Sequence, residues 1–175
     1  MTMECLMHGL DADLDDLQQY VGWLAQEKYR GVRLFWDGQR AWTRQGKPVT
    51  LSLPQSLPNG VQLDCELFDG HDGERRCASA IRFGDKHLTD TMRVVVFDLP
   101  EHGGTAQERQ AALSELTLPR TAFIAGSTVI ESVDQMLTLL ARVHERNGEG
   151  LMLRKPTSRY VAGRSAELVK VKYAA

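Results

Sequence analysis

The stretch Met92–Leu99 reads MRVVVFDL, and Pro100 closes it. Three successive valines inside an unbroken apolar run make a strand with no polar face to turn toward water. Such a strand must be covered on both sides, so the chain has to build layered structure around it. Proline after the run removes a backbone donor and disfavours continuation, which sets the strand's end. At 175 residues the chain has material for one domain with a sizeable core.

Strand and turn signals continue on either side of this run. Val32–Trp36 leads into Asp37-Gly38, a strong hairpin signal, and Ala41–Thr43 resumes beyond it. Residues 45–60 contain Gly46, Pro48, Pro54, Pro58 and Gly60, which predicts a turn-rich connection with one short strand at Val49–Leu53. Val61–Phe68 is a further strand candidate, and the polar residues 69–91 read as a long loop or hairpin. Leu14, Leu17, Tyr20, Val21 and Leu24 recur at helical spacing, so residues 12–25 are expected to form an amphipathic helix with aspartates at its start. Periodicity also predicts helices at Thr105–Leu116 and Glu131–Val143, with a strand at Thr121–Ile124 between them. Gly150–Leu153 and Ala166–Val171 close the chain as strands. The expected fold is a single α+β domain of many short, largely antiparallel strands.

Composition narrows the function classes. A net charge of −2 with 25 % charged residues excludes a uniformly basic nucleic-acid coat and a disordered tail. No apolar run approaches the roughly 20 residues of a membrane span. The three cysteines, Cys5, Cys65 and Cys77, are odd in number and lack C-x-x-C spacing, so no disulfide framework or zinc ribbon is indicated. A reducing, cytoplasmic setting without membrane contact is expected. The small net charge conceals an asymmetry: residues 1–22 sum to −5, while residues 28–47 and 142–172 each sum to +5. Two basic stretches are either solvated faces or the two sides of a phosphate-binding pocket.

Several residues are able to carry chemistry. Lys28 lies in EKYRGVR beside Arg30 and Arg33. Cationic neighbours destabilise a second ammonium and favour a free amine, the form that attacks phosphorus. Taken alone, Lys28 reads as a solvated lysine at a helix end, where cations are favoured anyway. In LDCELFDG, Asp64 and Glu66 are two apart on a strand and share a face, where they address a cation or a ribose, or simply water. Phe97 stands at the mouth of the apolar strand, placed either for stacking on a base or as core. Glu149 sits between two glycines at the entrance of an apolar strand, a position suited to one Mg²⁺ ligand. In LVKVKY, Lys170 and Lys172 share a face and stand about 7 Å apart by strand rise.

The order of these segments is more specific than any one of them. Lys28-Tyr-Arg-Gly31-Val-Arg33, Arg44-Gln-Gly46, Asp64-Cys-Glu66-Leu-Phe-Asp-Gly70, Val96-Phe97-Asp98, Glu149-Gly150-Leu-Met-Leu-Arg154 and Leu168-Val-Lys170-Val-Lys172 together resemble the successive nucleotidyltransferase motifs of ATP-dependent DNA ligases. The likeness is strongest to the small bacterial and phage type and spans residues 20–173. It implies an α+β, ATP-grasp-like nucleotidyltransferase domain of mostly antiparallel sheets flanked by helices. It further implies ATP as AMP donor, Mg²⁺ as metal, and nicked DNA as partner in DNA repair. Lys28 would form the lysyl–AMP phosphoramidate, with Lys170 and Lys172 on the α-phosphate. Phe97 would stack on adenine and the backbone around Glu27 would read its edge. Arg33 and Glu66 would hold the ribose, Glu149 and Glu66 the metal, and Arg44 the 5′-phosphate of the nick.

Two departures from the family pattern stand out. Its first motif has the form Lys-x-Asp-Gly, whereas the third place here is Arg30. This predicts weaker self-adenylation than an Arg30→Asp variant would show. The family also continues into an oligonucleotide-binding (OB) barrel, while this sequence ends at Tyr173-Ala-Ala. The expectation is therefore a single adenylation domain over residues 1–175, with no OB-fold domain unless a partner supplies one. Two alternatives stay open at this point: a nucleotide- or nick-binding domain without catalysis, and an RNA ligase or capping-type nucleotidyltransferase.

Overall fold

The valine run is a strand buried on both sides: Val94, Val95 and Val96 are all fully inaccessible. The computed structural model describes residues 5–173, which form two five-stranded sheets and three α-helices. The strands are β1 (Met7–Asp11), β2 (Leu24–Lys28), β3 (Val32–Trp36), β4 (Ala41–Thr43), β5 (Leu63–Phe68), β6 (Arg93–Asp98), β7 (Ala122–Ile124), β8 (Thr128–Val129), β9 (Gly150–Arg154) and β10 (Gly163–Lys172). The helices are α1 (Glu74–Phe83), α2 (Ala106–Ser114) and α3 (Val133–Glu145). One sheet has the order β1-β10-β9-β2-β8 and the other β4-β3-β5-β6-β7. The β1–β10 and β6–β7 pairings are parallel and the remaining ones antiparallel, as the short-strand reading requires.

Strand alternation sorts each sheet into a core face and a cleft face. In the first sheet Ala25, Leu151, Leu153, Val169 and Val171 pack with Met136, Leu140 and Val143 of α3. Their alternates Gln26, Lys28, Met152, Arg154, Leu168 and Lys170 line a cleft. In the second sheet Leu34, Trp36, Cys65, Leu67, Val94 and Val96 pack with Cys77 and Ala80 of α1 and Leu113 of α2. Their alternates Arg33, Asp64, Glu66 and Phe97 line the same cleft. Each sheet thus buries one face under helices and turns its polar face toward the other sheet.

Three sequence expectations are corrected. Residues 12–25 do not form an amphipathic helix: a single 3₁₀ turn at Leu17–Tyr20 leads into β2. Gly22 at φ +90° breaks the run, and pairing of β2 with β8 and β9 outweighs the local helical spacing. Lys28 consequently ends a strand, not a helix. Residues 69–91 contain α1, whose buried positions Cys77 and Ala80 are too small to give a visible apolar stripe. A Cβ at Gly73, before this helix, would lie 2.0 Å from the Asp69 carbonyl oxygen, so only glycine fits there. No strand forms over Val49–Leu53, although Val49 and Leu51 are buried in the core; a 3₁₀ turn follows at Leu53–Ser56. The helix expected from Thr105 is α2, with Thr105 and Glu108 forming a reciprocal capping box. Among the described residues no helix is long and apolar enough to cross a membrane.

Candidate active site

The cleft between the sheets has a volume of about 890 Å³. On the first sheet Lys28 of β2 is in register with Gly150 of β9, and Gly150 is in register with Lys172 of β10. A Cβ at Gly150 would lie 2.2 Å from the Val171 carbonyl oxygen, so the row has no side chain at its centre. Both lysines converge on Glu149: Lys28 Nζ lies 2.6 Å and Lys172 Nζ 3.2 Å from its Oε1. Burial pushes the Glu149 carboxyl up, but the two ammonium groups outweigh it and hold it below the ordinary glutamate value. The next row places Gln26 opposite Met152 and Met152 opposite Lys170. Lys170 Nζ lies 3.4 Å from Asp11 Oδ1.

The opposite wall is clamped from beneath. Arg33 donates to both Asp64 oxygens, at 2.9 and 2.7 Å, and to the Met7 carbonyl at 2.7 Å. Tyr160 donates its hydroxyl proton to Asp64 Oδ2 at 2.8 Å. These bonds join β1, β3, β5 and the loop before β10. Phe97 is half-buried, with the Tyr29 ring stacked beside it at 6.1 Å and 29°. Glu27 points away from Lys28 and accepts from Arg146 at 2.8 Å. Its Oε1 is buried without a hydrogen bond, although His71 Nε2 lies 3.4 Å away outside bonding geometry.

Glu66 accepts the Gly31 backbone N–H at 2.6 Å. A Cβ at Gly31 would meet the Leu67 carbonyl at 2.0 Å, so the close approach of the Lys28 loop to β5 requires glycine. Burial raises the Glu66 carboxyl from 4.5 to about 7, against the Gly31 bond and the charges of Lys28 and Arg33. The folded protein therefore keeps a proton that the unfolded chain loses first, and this group's effect on stability becomes less favourable as pH rises through that window. Glu66→Gln, neutral throughout, is expected to gain about 2 kcal/mol relative to wild type between pH 5 and pH 8. Urea unfolding at both pH values measures the difference, and parallel behaviour of the two proteins would count against a protonated Glu66.

The structure brings Glu27, Lys28, Arg33, Arg44, Glu66, Phe97, Glu149 and Lys170 to one cleft, with Lys172 joined through Glu149. Asp64 and Glu66 share the cleft face but take separate partners. Arg44 is exposed at the rim, and Arg30 is exposed on the loop after Lys28. The two basic stretches meet here, since Arg154 and Arg164 from the second line the same space as Arg30, Arg33 and Arg44 from the first. Sequence reasoning missed β1, which carries His8 and Asp11 into the cleft. Burial together with the charges of Arg33, Arg44 and Arg164 holds the His8 imidazole below its ordinary value. Gln26 and Gln110 were also missed, because uncharged amides give no compositional signal.

Two facing sheets thus set Lys28, Lys170 and Lys172 on one side and Phe97 on the other. Residues 13–172 match the family model described as the ATP dependent DNA ligase domain, and the chain belongs to that family. It is 29 % identical over 168 residues to a DNA ligase of Haemophilus influenzae, covering 90 % of this chain and 60 % of that protein. It is 28 % identical over 167 residues to a DNA ligase of Archaeoglobus fulgidus, covering 81 % of this chain and 30 % of that protein. The chain thus spans less than two thirds of the length of either relative. A solved Lig E DNA ligase superposes with a TM-score of 0.84 at 27 % identity, covering 96 % of this chain and 68 % of the other. The adenylated DNA ligase of Chlorella virus superposes at 0.74 with 20 % identity, covering 95 % and 66 %, which adds a likeness of fold.

Proposed function

We propose that this chain is the adenylating part of an ATP-dependent polynucleotide ligase acting on nicked DNA. The observation that carries the reading is the convergence of Lys28 and Lys172 on Glu149, in a cleft that also holds Lys170 and Phe97. Lys28 Nζ attacks the α-phosphorus of ATP; an N–P bond forms, the bond to the bridging oxygen breaks, and pyrophosphate leaves. Lys28 attacks as the free amine, so its ammonium first gives up a proton to solvent, while the contact with Glu149 Oε1 holds Nζ in the cleft. Lys170 and Lys172 supply the fixed positive charge that the α-phosphate oxygens need as charge develops on them. Phe97 stacks on the base, Arg33 and Glu66 border the ribose, and Arg44 at the rim takes the 5′-phosphate of the nick.

Among the described residues no group of three or more His, Cys, Asp or Glu side chains gathers as a metal cage. Glu149 and Glu66 line the same cleft, and Mg²⁺ retains several waters and takes one or two carboxylates together with substrate phosphates. Glu149, with Glu66, would hold the ion, and the ion would neutralise phosphate charge.

Intact-mass and peptide mass spectrometry after incubation with ATP and Mg²⁺ tests the reading: one added AMP on Lys28 is expected. Saturable ATP binding with no adduct would instead assign a nucleotide-binding domain without catalysis. In the same assay Arg30→Asp is expected to form the adduct faster than wild type, because it restores the carboxylate that the family's first motif places beside the nucleophile. Equal or slower labelling would show that Arg30 does not restrain the reaction.

A further inference from the structure

Gln26 and Gln110 form a directional relay behind the cleft. Gln26 lies two residues before Lys28 on the same face of β2, is 4 % exposed, and lines the cleft. Gln110, on α2, donates through Nε2 to the Phe97 carbonyl at 2.9 Å. Gln26 donates through Nε2 to Gln110 Oε1 at 3.1 Å. The direction is fixed by chemistry: a carbonyl only accepts, so Gln110 must turn its NH₂ toward Phe97 and its oxygen toward Gln26. Gln26 must then turn its own NH₂ to Gln110, and Oε1 is the pole left for the cleft. The helix that carries Gln110 is itself anchored, since the neighbouring Arg109 is fully buried against Asp98 at 2.7 Å.

We propose that Gln110 is a positioning residue for base selection: through its bonds to Phe97 and Gln26 it presents Gln26 Oε1 as a fixed acceptor to the nucleobase. The inference rests on the reading of the cleft as a nucleoside triphosphate site. Adenine offers an exocyclic amine, which donates to such an acceptor. Guanine offers a carbonyl oxygen at the corresponding position, which meets Oε1 lone pair to lone pair. The same Phe97 whose ring borders the cleft supplies the carbonyl that orients the relay, so stacking surface and polar readout are registered to one residue. An amide without Gln110 behind it is free to turn through 180° and offer NH₂, which suits guanine equally well.

The test uses the full chain and the ATP and GTP analogues with methylene in place of the α,β-bridging oxygen, which bind without transfer. Calorimetric titration of wild type is expected to show a clear preference for the adenine analogue. Gln110→Leu is expected to lower that preference about tenfold, the scale of one buried hydrogen bond replaced by a mismatch. Gln110→Glu keeps an acceptor for Gln26 Nε2 and is expected to retain the preference while weakening both analogues through its repulsion of the Phe97 carbonyl. A purely structural role for Gln110 would weaken both nucleotides together and leave their ratio unchanged in both variants. A wild-type ratio in Gln110→Leu, loss of the preference in Gln110→Glu, or no preference in wild type overturns the inference and leaves the adenylation reading standing. Failure of wild type to bind either analogue overturns both.

Discussion

Asp98→Ala is expected to destabilise the protein by about 3–5 kcal/mol, the cost of breaking a buried ion pair from one side. Asp98 is fully buried and accepts from Arg109 Nε at 2.7 Å and from Arg154. Arg109 is also fully buried, and its Nη1 reaches the carbonyls of Gly104 at 2.8 Å and Ser158 at 2.9 Å. Removing the carboxylate leaves two guanidinium groups in a site with no anion and little water. Arg109→Leu is expected to cost less, because Asp98 keeps Arg154 and the leucine fills part of the space. Urea unfolding followed by far-UV circular dichroism reads both variants, and Asp98→Ala unfolding within 1 kcal/mol of wild type (a few-fold in equilibrium constant) would show that the triad is not a keystone. The triad joins β9 of one sheet, β6 of the other and α2, so it also sets how far the lysine wall stands from Phe97.

That cross-brace marks the limit of what the sequence discloses. Strands whose burial is written in consecutive residues were legible: Val94–Val96 admitted one reading, and Val32–Trp36 with Asp37-Gly38 gave its hairpin directly. The first segment misled because Leu14, Leu17, Tyr20 and Val21 have helical spacing, while the strand identity of Leu24–Lys28 comes from its pairing with β9, more than 120 residues away. α1 was silent because its buried face is made of Cys77 and Ala80. At the site, charged residues in ordered motifs were legible, and the two basic stretches do share a cleft. Residues that act through position were not. Asp11 reaches Lys170 only because β1 pairs in parallel with β10, and Gln110 reaches Gln26 only because the fold brings α2 within hydrogen-bond reach of both β6 and β2. Ion pairs across such distances depend on topology, which local pattern does not encode.

Lys28→Arg is expected to abolish adduct formation, by at least about 10⁴-fold, while leaving nucleotide binding within a few-fold of wild type. Arginine keeps the positive charge and is long enough to retain a contact with Glu149, so the electrostatics of the row with Lys172 are largely preserved. It stays protonated at any working pH, however, and offers no lone pair to phosphorus. Lys28→Ala should be equally inactive but should bind the methylene ATP analogue less well, because Glu149 then has Lys172 as its remaining partner and the cleft loses a cation. The pair of variants therefore divides nucleophile from charge. Mass spectrometry of the adduct and calorimetry of the analogue supply the two readouts. Residual AMP on Lys28→Arg, mapped to Lys170 or Lys172, would move the nucleophile to β10 and leave Lys28 as a phosphate ligand. Full adduct formation by Lys28→Ala would remove Lys28 from the chemistry altogether.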